Sequence, residues 1–345
     1  MTAMARSAPT PVTVIGGFLG AGKTTLLNAL IRHGTGRRLG VLVNDFGAIN
    51  IDADLVVGVD GDMVSLGGGC ICCSIREDMA RSIIEMTGRA DAPDHLVVEA
   101  SGVSDPAAIA RAIASPRMHE AVSLDGVVVV IDAEAYLAAG FRERLVTGGQ
   151  LKAADIVVLS KVDLLDPADV EAVQAKVRKA VPRARVIAAE KGAVPPELLL
   201  GLQSDVVPEK GQLGVNLHHA DGEALEHDHT ATFSTWSYTT DVPLSPRRLK
   251  RVIDALPPTV FRVKGVVQVA RERVRQAVLH VVGRRAELEL GAPWGDVTPQ
   301  SRLVFIGSPG SVDPVSLTDM LRSCEAPEGE DGSPVMRWIR GIFQG

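Results

Sequence analysis

The segment Gly17-Phe18-Leu19-Gly20-Ala21-Gly22-Lys23-Thr24 constrains the fold more than any other part of the chain. It follows a short β-branched run, Val12–Ile15, and opens a stretch of helical period, Thr24–Arg32. It therefore satisfies G-x-x-x-x-G-K-[ST] in the strand-to-helix setting the motif needs. In that setting the backbone N–H groups of Gly17, Gly20, Ala21 and Gly22 turn toward phosphate oxygens, and Lys23 reaches the β and γ groups. The Thr24 hydroxyl is placed to serve Mg²⁺. A nucleoside triphosphate is the expected ligand, and a parallel sheet flanked by helices is the expected fold.

The following residues fit that architecture. Leu39–Asn44, His95–Glu99, Gly126–Ile131, Ile156–Ser160 and Arg185–Ala188 are apolar runs without polar alternation, as in strands buried on both faces. Between them Arg76–Gly88, Asp105–Ile113 and Pro167–Ala180 have helical period, the last with Asp166 as a candidate cap and Pro167 at the first helical position. A P-loop domain over 11–203 is expected, after a frayed start at 1–10. Periodicity then gives way to a His- and acid-rich linker at 204–230. A smaller α+β domain over 231–324 follows: a strand at Thr232–Thr239, a helix at Pro246–Leu256 capped by Ser245, strands at Val260–Ala270, Arg275–Val282 and Arg302–Ile306, and a helix at Pro314–Cys324. The acidic, Gly- and Pro-rich residues from Glu325 open a tail that runs to residue 345.

Two sites qualify the choice of nucleotide and the chemistry. Ser160-Lys161-Val162-Asp163 ends a strand and matches the guanine pattern N-K-x-D except at its first position. The Asp163 carboxylate can accept from guanine N1–H and N2–H₂, and the Lys161 stem can cover the base. Ser160 supplies a hydroxyl where an amide usually braces the loop, so GTP is favoured with looser selectivity. At the end of His95–Glu99 stands Glu99-Ala100-Ser101-Gly102. Glu99 is a candidate for holding Mg²⁺ through water or for orienting the attacking water, and Gly102 for sensing the γ-phosphate through its N–H. Asp45, in the run Asn44-Asp45-Phe46-Gly47, is a weaker metal-side candidate.

The chain has four cysteines, and Cys70, Cys72 and Cys73 follow directly on Gly67-Gly68-Gly69. Thiolates suit Zn²⁺, Cu(I) or Fe–S centres, and a glycine-loosened loop can aim three sulfurs at one ion where a regular helix cannot. Three ligands leave a tetrahedral zinc site open, which suits a metal that must be passed on. A redox dithiol and buried packing cysteines are the competing readings. Cys324 stands apart as a packing residue. His218, His219, His227 and His229 could gather metal weakly or simply belong to a solvated linker, while His33, His95, His119 and His280 receive no role.

Charge and hydropathy exclude other classes. Lys+Arg total 36 against 42 Asp+Glu, a formal net charge of −6, so nothing global favours nucleic acid or an anionic membrane. Apolar runs such as Val127–Ile131 fall far short of the roughly 20 residues a spanning helix needs. The first ten residues have no apolar core before a cleavage site, so the default expectation is a cytoplasmic protein.

Together these features resemble the CobW-type metal-handling GTPases. The resemblance rests on GGFLGAGKTT (Gly16–Thr25), NDFGAINID (Asn44–Asp52), GGGCICCS (Gly67–Ser74), EASGVSDP (Glu99–Pro106) and SKVDL (Ser160–Leu164). It continues into Phe261–Gly265 and Ser301–Gly307. It implies a low-rate GTPase that binds a transition metal, most often zinc with cobalt as an alternative, at Cys70, Cys72 and Cys73 and delivers it to a client metalloprotein. By the family pattern Gly20, Gly22, Lys23, Thr24 and Thr25 hold the nucleotide, and Lys161 and Asp163 hold the guanine. A monomer or a nucleotide- or metal-dependent dimer is expected. An ATP-dependent kinase on the same loop and a metal-sensing module with incidental GTPase activity are the alternatives.

Overall fold

Valine-rich strands with no polar face can be stable only when helices cover both sides of the sheet, and the N-terminal part of the chain is built this way. The computed structural model describes residues 9–32, 38–44, 63–66, 74–139, 147–200, 234–270, 272–283, 285–308 and 313–326. The chain divides into two compact units, Met1–Leu202 and Gln203–Gly345.

In the first unit, strands β1 (Thr10–Gly17), β2 (Leu39–Asn44), β3 (Met63–Leu66), β4 (His95–Glu99), β5 (Val122–Asp132), β6 (Ile156–Ser160) and β7 (Arg185–Ala188) form one sheet in the order β3-β2-β4-β1-β5-β6-β7. Every pairing is parallel. Val12, Val14 and Ile15 of β1, Leu96–Val98 of β4 and Ile156–Leu159 of β6 have no measurable exposure. The described helices include α1 (Lys23–Arg32), α2 (Ser74–Thr87), α3 (Pro106–Ile113), α4 (Ala133–Ala138), α5 (Pro167–Ala180) and α6 (Pro196–Leu199), and a short helical segment covers 147–151. The chain leaves β1 toward β2 on one side and later returns to place β5 on the other. The carboxyl end of β1 is thus a topological switch point, where open α/β sheets bind ligands.

β3 and α4 are additions to the sequence expectation. β3, Met63-Val64-Ser65-Leu66, is a short run interrupted by a polar serine and is fixed by pairing with β2 from Val41↔Met63 to Asn44↔Leu66. Asp166 stands at the cap position of α5 but its side chain makes no capping bond, and the same holds for Ser245 ahead of the next helix. His95, left without a role by the sequence, is 1% exposed and its Nε2 lies 2.8 Å from Thr13 Oγ1. The Thr13 hydroxyl also lies 3.3 Å from Asp125 Oδ2, in a β5 bulge created because Val12 pairs with Leu124 and Thr13 with Gly126. This buried polar cluster lies toward the start of β4, at the opposite end of that strand from Glu99.

The second unit is a five-stranded antiparallel sheet ordered β11-β10-β9-β12-β8. Its strands are β8 (Ser234–Thr240), β9 (Val260–Val269), β10 (Glu272–Val282), β11 (Arg285–Pro293) and β12 (Ser301–Gly307), with helices α7 (Pro246–Asp254) and α8 (Pro314–Arg322). Leu249, Val252 and Ile253 repeat at helical spacing and bury one face of α7 with Leu317 and Leu321 of α8 against Trp236, Val263, Leu279, Leu288 and Phe305 of the sheet. β11 was not expected, since Arg-Ala-Glu-Leu-Glu-Leu reads as weakly β-forming. As an edge strand it buries Ala286 and Leu288 and leaves Glu289 and Leu290 exposed. Glu325, expected to open a tail, is instead half-buried and hydrogen-bonded to the sheet. Its Oε1 accepts from Tyr238 at 2.8 Å and Thr240 at 2.7 Å, and the neighbouring Ala326 N–H donates to Pro243 O. Residues 204–230 and the rest of 325–345 lie outside the described residues.

Candidate nucleotide site

The loop between β1 and α1 crosses the C-terminal edge of the sheet at its switch point. Gly17 ends β1, Gly20 and Ala21 form the crest, and Gly22 leads into Lys23 and Thr24, with Thr25 in the first turn of α1. Gly22 has φ 93°, a left-handed value that L side chains rarely adopt, so the motif's second glycine is a conformational requirement here. The Ala21 N–H donates to Phe18 O at 3.2 Å, closing the turn. Lys23 is 7% exposed, and its ammonium donates to Phe18 O at 3.3 Å, which holds the positive charge over the loop. The loop thus presents backbone donors, a cation and a helix N-terminus together, a site that favours negative charge.

Glu99 closes the neighbouring strand and is 1% exposed. The Thr24 hydroxyl donates to Glu99 Oε1 at 3.2 Å, so two residues separated by 75 positions meet at one point. A hydroxyl and a carboxylate are hard oxygen donors of the kind Mg²⁺ takes alongside water and phosphate, so the pair fits that ion. Gly102 follows in a turn that presses on the phosphate loop. A Cβ there would lie 2.6 Å from Leu19 N, a distance at which one of the two backbones would have to move.

Ser160, Lys161 and Asp163 lie at the end of β6. Ser160 is 5% exposed, and its hydroxyl donates to Ala21 O at 2.6 Å with Ile131 O also within reach at 3.1 Å. The residue that departs from the guanine pattern therefore braces the phosphate loop directly. Lys161 takes the left-handed conformation, φ 57° and ψ 31°, and its ammonium lies 2.6 Å from Asp132 Oδ2. Asp132 also caps α4 through its other oxygen, which accepts from Ala135 N at 2.9 Å. Asp163 is exposed, on the single turn Val162–Leu164.

The structure thus gathers Gly17, Gly20, Ala21, Gly22, Lys23, Thr24, Thr25, Glu99, Gly102, Lys161 and Asp163 along one edge of the sheet. Sequence reasoning missed Asp132, although an acidic residue at a strand end before helix-forming Ala-Glu-Ala was a usable signal. It also missed that the Ser160 hydroxyl would reach Ala21. Cys70, Cys72, Cys73 and Asp45 lie outside the described residues. The cysteines fall in the connection between Leu66, at the end of β3, and Ser74, at the start of α2. Among the described residues no group of His, Cys, Asp and Glu could hold a metal on its own, and no helix is long and apolar enough to cross a membrane.

Comparison with known proteins agrees with this geometry. The model of the CobW/HypB/UreG nucleotide-binding domain matches residues 11–188, and that of the cobalamin synthesis protein cobW C-terminal domain matches residues 233–325. The zinc chaperone CobW of Sinorhizobium sp is 32% identical over 340 residues, covering 89% of this chain and 95% of its own. The zinc chaperone CobW of Pseudomonas aeruginosa is 29% identical over 359 residues, covering 92% of each chain. The zinc chaperone YjiA of Escherichia coli is 27% identical over 307 residues, covering 87% of this chain and 94% of its own. With both units matched and a phosphate loop in place at the head of the first, the chain belongs to the CobW/HypB/UreG family, in the form that carries a CobW C-terminal domain.

Proposed function

We propose that the protein is a GTP-hydrolysing metallochaperone: zinc is its cargo, Cys70, Cys72 and Cys73 hold it, and a client metalloprotein receives it. The observation that carries the proposal is the meeting of Thr24 with Glu99 at 3.2 Å beside the phosphate loop, a hydrolytic centre on the strand edge from which the cysteine segment also departs. Relatives named zinc chaperones along nearly the whole chain support zinc as the metal. Residues 11–203 bind and hydrolyse the nucleotide in this reading, and residues 231–324 help to recognise the client.

Catalysis in such a site is positioning and charge stabilisation more than covalent chemistry. Lys23 and the backbone N–H groups of Gly20–Gly22 stabilise charge on the β and γ oxygens, and Thr24 with Glu99 would hold Mg²⁺, which neutralises phosphate charge when bound. Glu99, desolvated at the strand end, orients water, and Gly102 registers whether the γ-phosphate is present. Asp163 and Lys161 read the guanine, the latter steadied by Asp132.

Because the cysteine segment starts from the same strand edge, zinc affinity should follow the nucleotide. Titration of Zn²⁺ in the presence of a non-hydrolysable GTP analogue, and again with GDP, is expected to show roughly tenfold or greater difference, since typical couplings are about 1–3 kcal/mol. Cys72→Ala should abolish the tight component. Equal zinc affinity in the two nucleotide states removes the switch, because a ligand indifferent to two states shifts neither. Turnover of ATP as fast as GTP would instead favour the kinase alternative.

A further inference from the structure

Gln150 lies in the helical segment 147–151, just ahead of the strand that leads to Ser160 and Lys161, and is only 4% exposed. Its amide nitrogen donates to two backbone carbonyls of a single short turn, Gly102 O at 3.1 Å and Ser104 O at 3.1 Å. That turn is closed by the Ser104 N–H, which donates to Ser101 O at 2.9 Å. The Ser101 carbonyl and the Gly102 N–H belong to one planar trans peptide and point in opposite directions. The bond that closes the turn therefore sets where the Gly102 N–H points, and the two bonds from Gln150 hold the Gly102 and Ser104 carbonyls in place. Gly102 in turn sits against Leu19 of the phosphate loop, so any movement of this turn is felt where the phosphates lie.

The side chain is suited to this work by its chemistry. A primary amide offers two N–H donors without charge, one for each carbonyl, whereas a carboxylate of the same shape would oppose both. Gln150 Oε1 is buried and has no hydrogen-bond partner among the described residues. A buried acceptor without a partner is costly to desolvate. The two donated bonds are thus kept at the expense of the remaining acceptor, which a residue serving only to fill space would not require.

We infer that Gln150 is a positioning residue for the γ-phosphate: by clamping the carbonyls of Gly102 and Ser104 it holds the Gly102 N–H in the orientation that detects the third phosphate. It connects the γ-phosphate turn to the segment entering the base-reading strand, so both ends of the nucleotide are read by mechanically linked backbone. The inference rests on the nucleotide reading proposed above.

The test is the ratio of affinities for a non-hydrolysable GTP analogue and for GDP, with Mg²⁺, together with the single-turnover rate of GTP hydrolysis, in the full chain. Gln150→Leu removes both bonds at similar size. It should lower the ratio about tenfold, as expected for two neutral hydrogen bonds, slow hydrolysis to a similar degree and leave GDP affinity within about threefold. Gln150→Glu, nearly isosteric, should lose discrimination at pH 8, where its carboxylate repels the carbonyls, and serves if the leucine variant does not fold. A loss of thermal stability with the ratio and rate unchanged in both variants would overturn the inference and leave Gln150 a packing residue. If the wild-type protein binds the two nucleotides equally, there is no discrimination for Gln150 to support and this inference alone fails; if both bind as well after Lys23→Ala, the nucleotide reading fails and this inference falls with it.

Discussion

Ser160 shows how one hydroxyl can do work that a motif assigns to an amide. Its oxygen lies 2.6 Å from Ala21 O and is buried, so a change to alanine leaves the loop carbonyl without its donor. Ser160→Ala is expected to cost about 1 kcal/mol of stability and to weaken GTP and GDP binding alike, by about fivefold. The equality matters because, in the function proposed above, the phosphate loop holds the phosphates common to both nucleotides, unlike the turn held by Gln150. Isothermal titration with each nucleotide checks it, and a loss confined to GTP would contradict the bracing role. The sequence placed Ser160 at the right spot and marked it as a departure from the guanine pattern. That its hydroxyl would meet a residue 139 positions earlier could not be read from the chain, since the contact exists only once β6 lies two strands from β1, with β5 between them.

At the scale of elements, α8 shows a well-made start and a pH-sensitive end. Its start is capped by Asp313, which accepts from Val315 N at 3.1 Å and Ser316 N at 3.2 Å. Just past its end Cys324 is fully buried, its thiol directed to Met320 O at 3.5 Å. Burial pushes the Cys324 thiol up to about 11 from an ordinary 9.0. Between those values the unfolded chain has released the proton and the folded chain retains it, so the contribution to stability is complete below pH 9.0 and is lost as pH rises toward about 11. Thermal unfolding of the wild type should therefore lose about 1 kcal/mol per pH unit in that window, and Cys324→Ala should lose less. Burial, followed by the Glu325 hydrogen bond, also raises the Tyr238 hydroxyl, so a residual slope of the same sign above pH 10 is expected in both proteins. The continuous valine runs of the parallel sheet were legible because burial on both faces leaves its mark on composition. β11 was not, because its residues acquire a strand environment only through pairing with β10, as in Leu279↔Leu288 and His280↔Glu287.

For the whole molecule, the division into two compact units predicts separable stabilities. Phe305 has no exposure and its ring packs 5.2 Å from that of Trp236. Phe305→Ala should destabilise the second unit by about 3–5 kcal/mol while nucleotide binding by the first persists. Calorimetry of the full chain with and without GDP reads this directly: one transition should fall in temperature while the other still rises with nucleotide. A single merged transition insensitive to nucleotide would show that the units do not hold separately. What the sequence by itself determined was local and covalent: a phosphate loop between a strand and a helix, a Ser160–Asp163 segment that departs from N-K-x-D only at its first position, and three cysteines behind three glycines. Only the tertiary structure decided that Glu99 meets Thr24, that Asp132 tethers Lys161, that Ser160 braces Ala21 and that Gln150 clamps the turn after Glu99. Each joins residues dozens of positions apart, and such contacts are set by strand order and register, which neither periodicity nor motif spacing encodes.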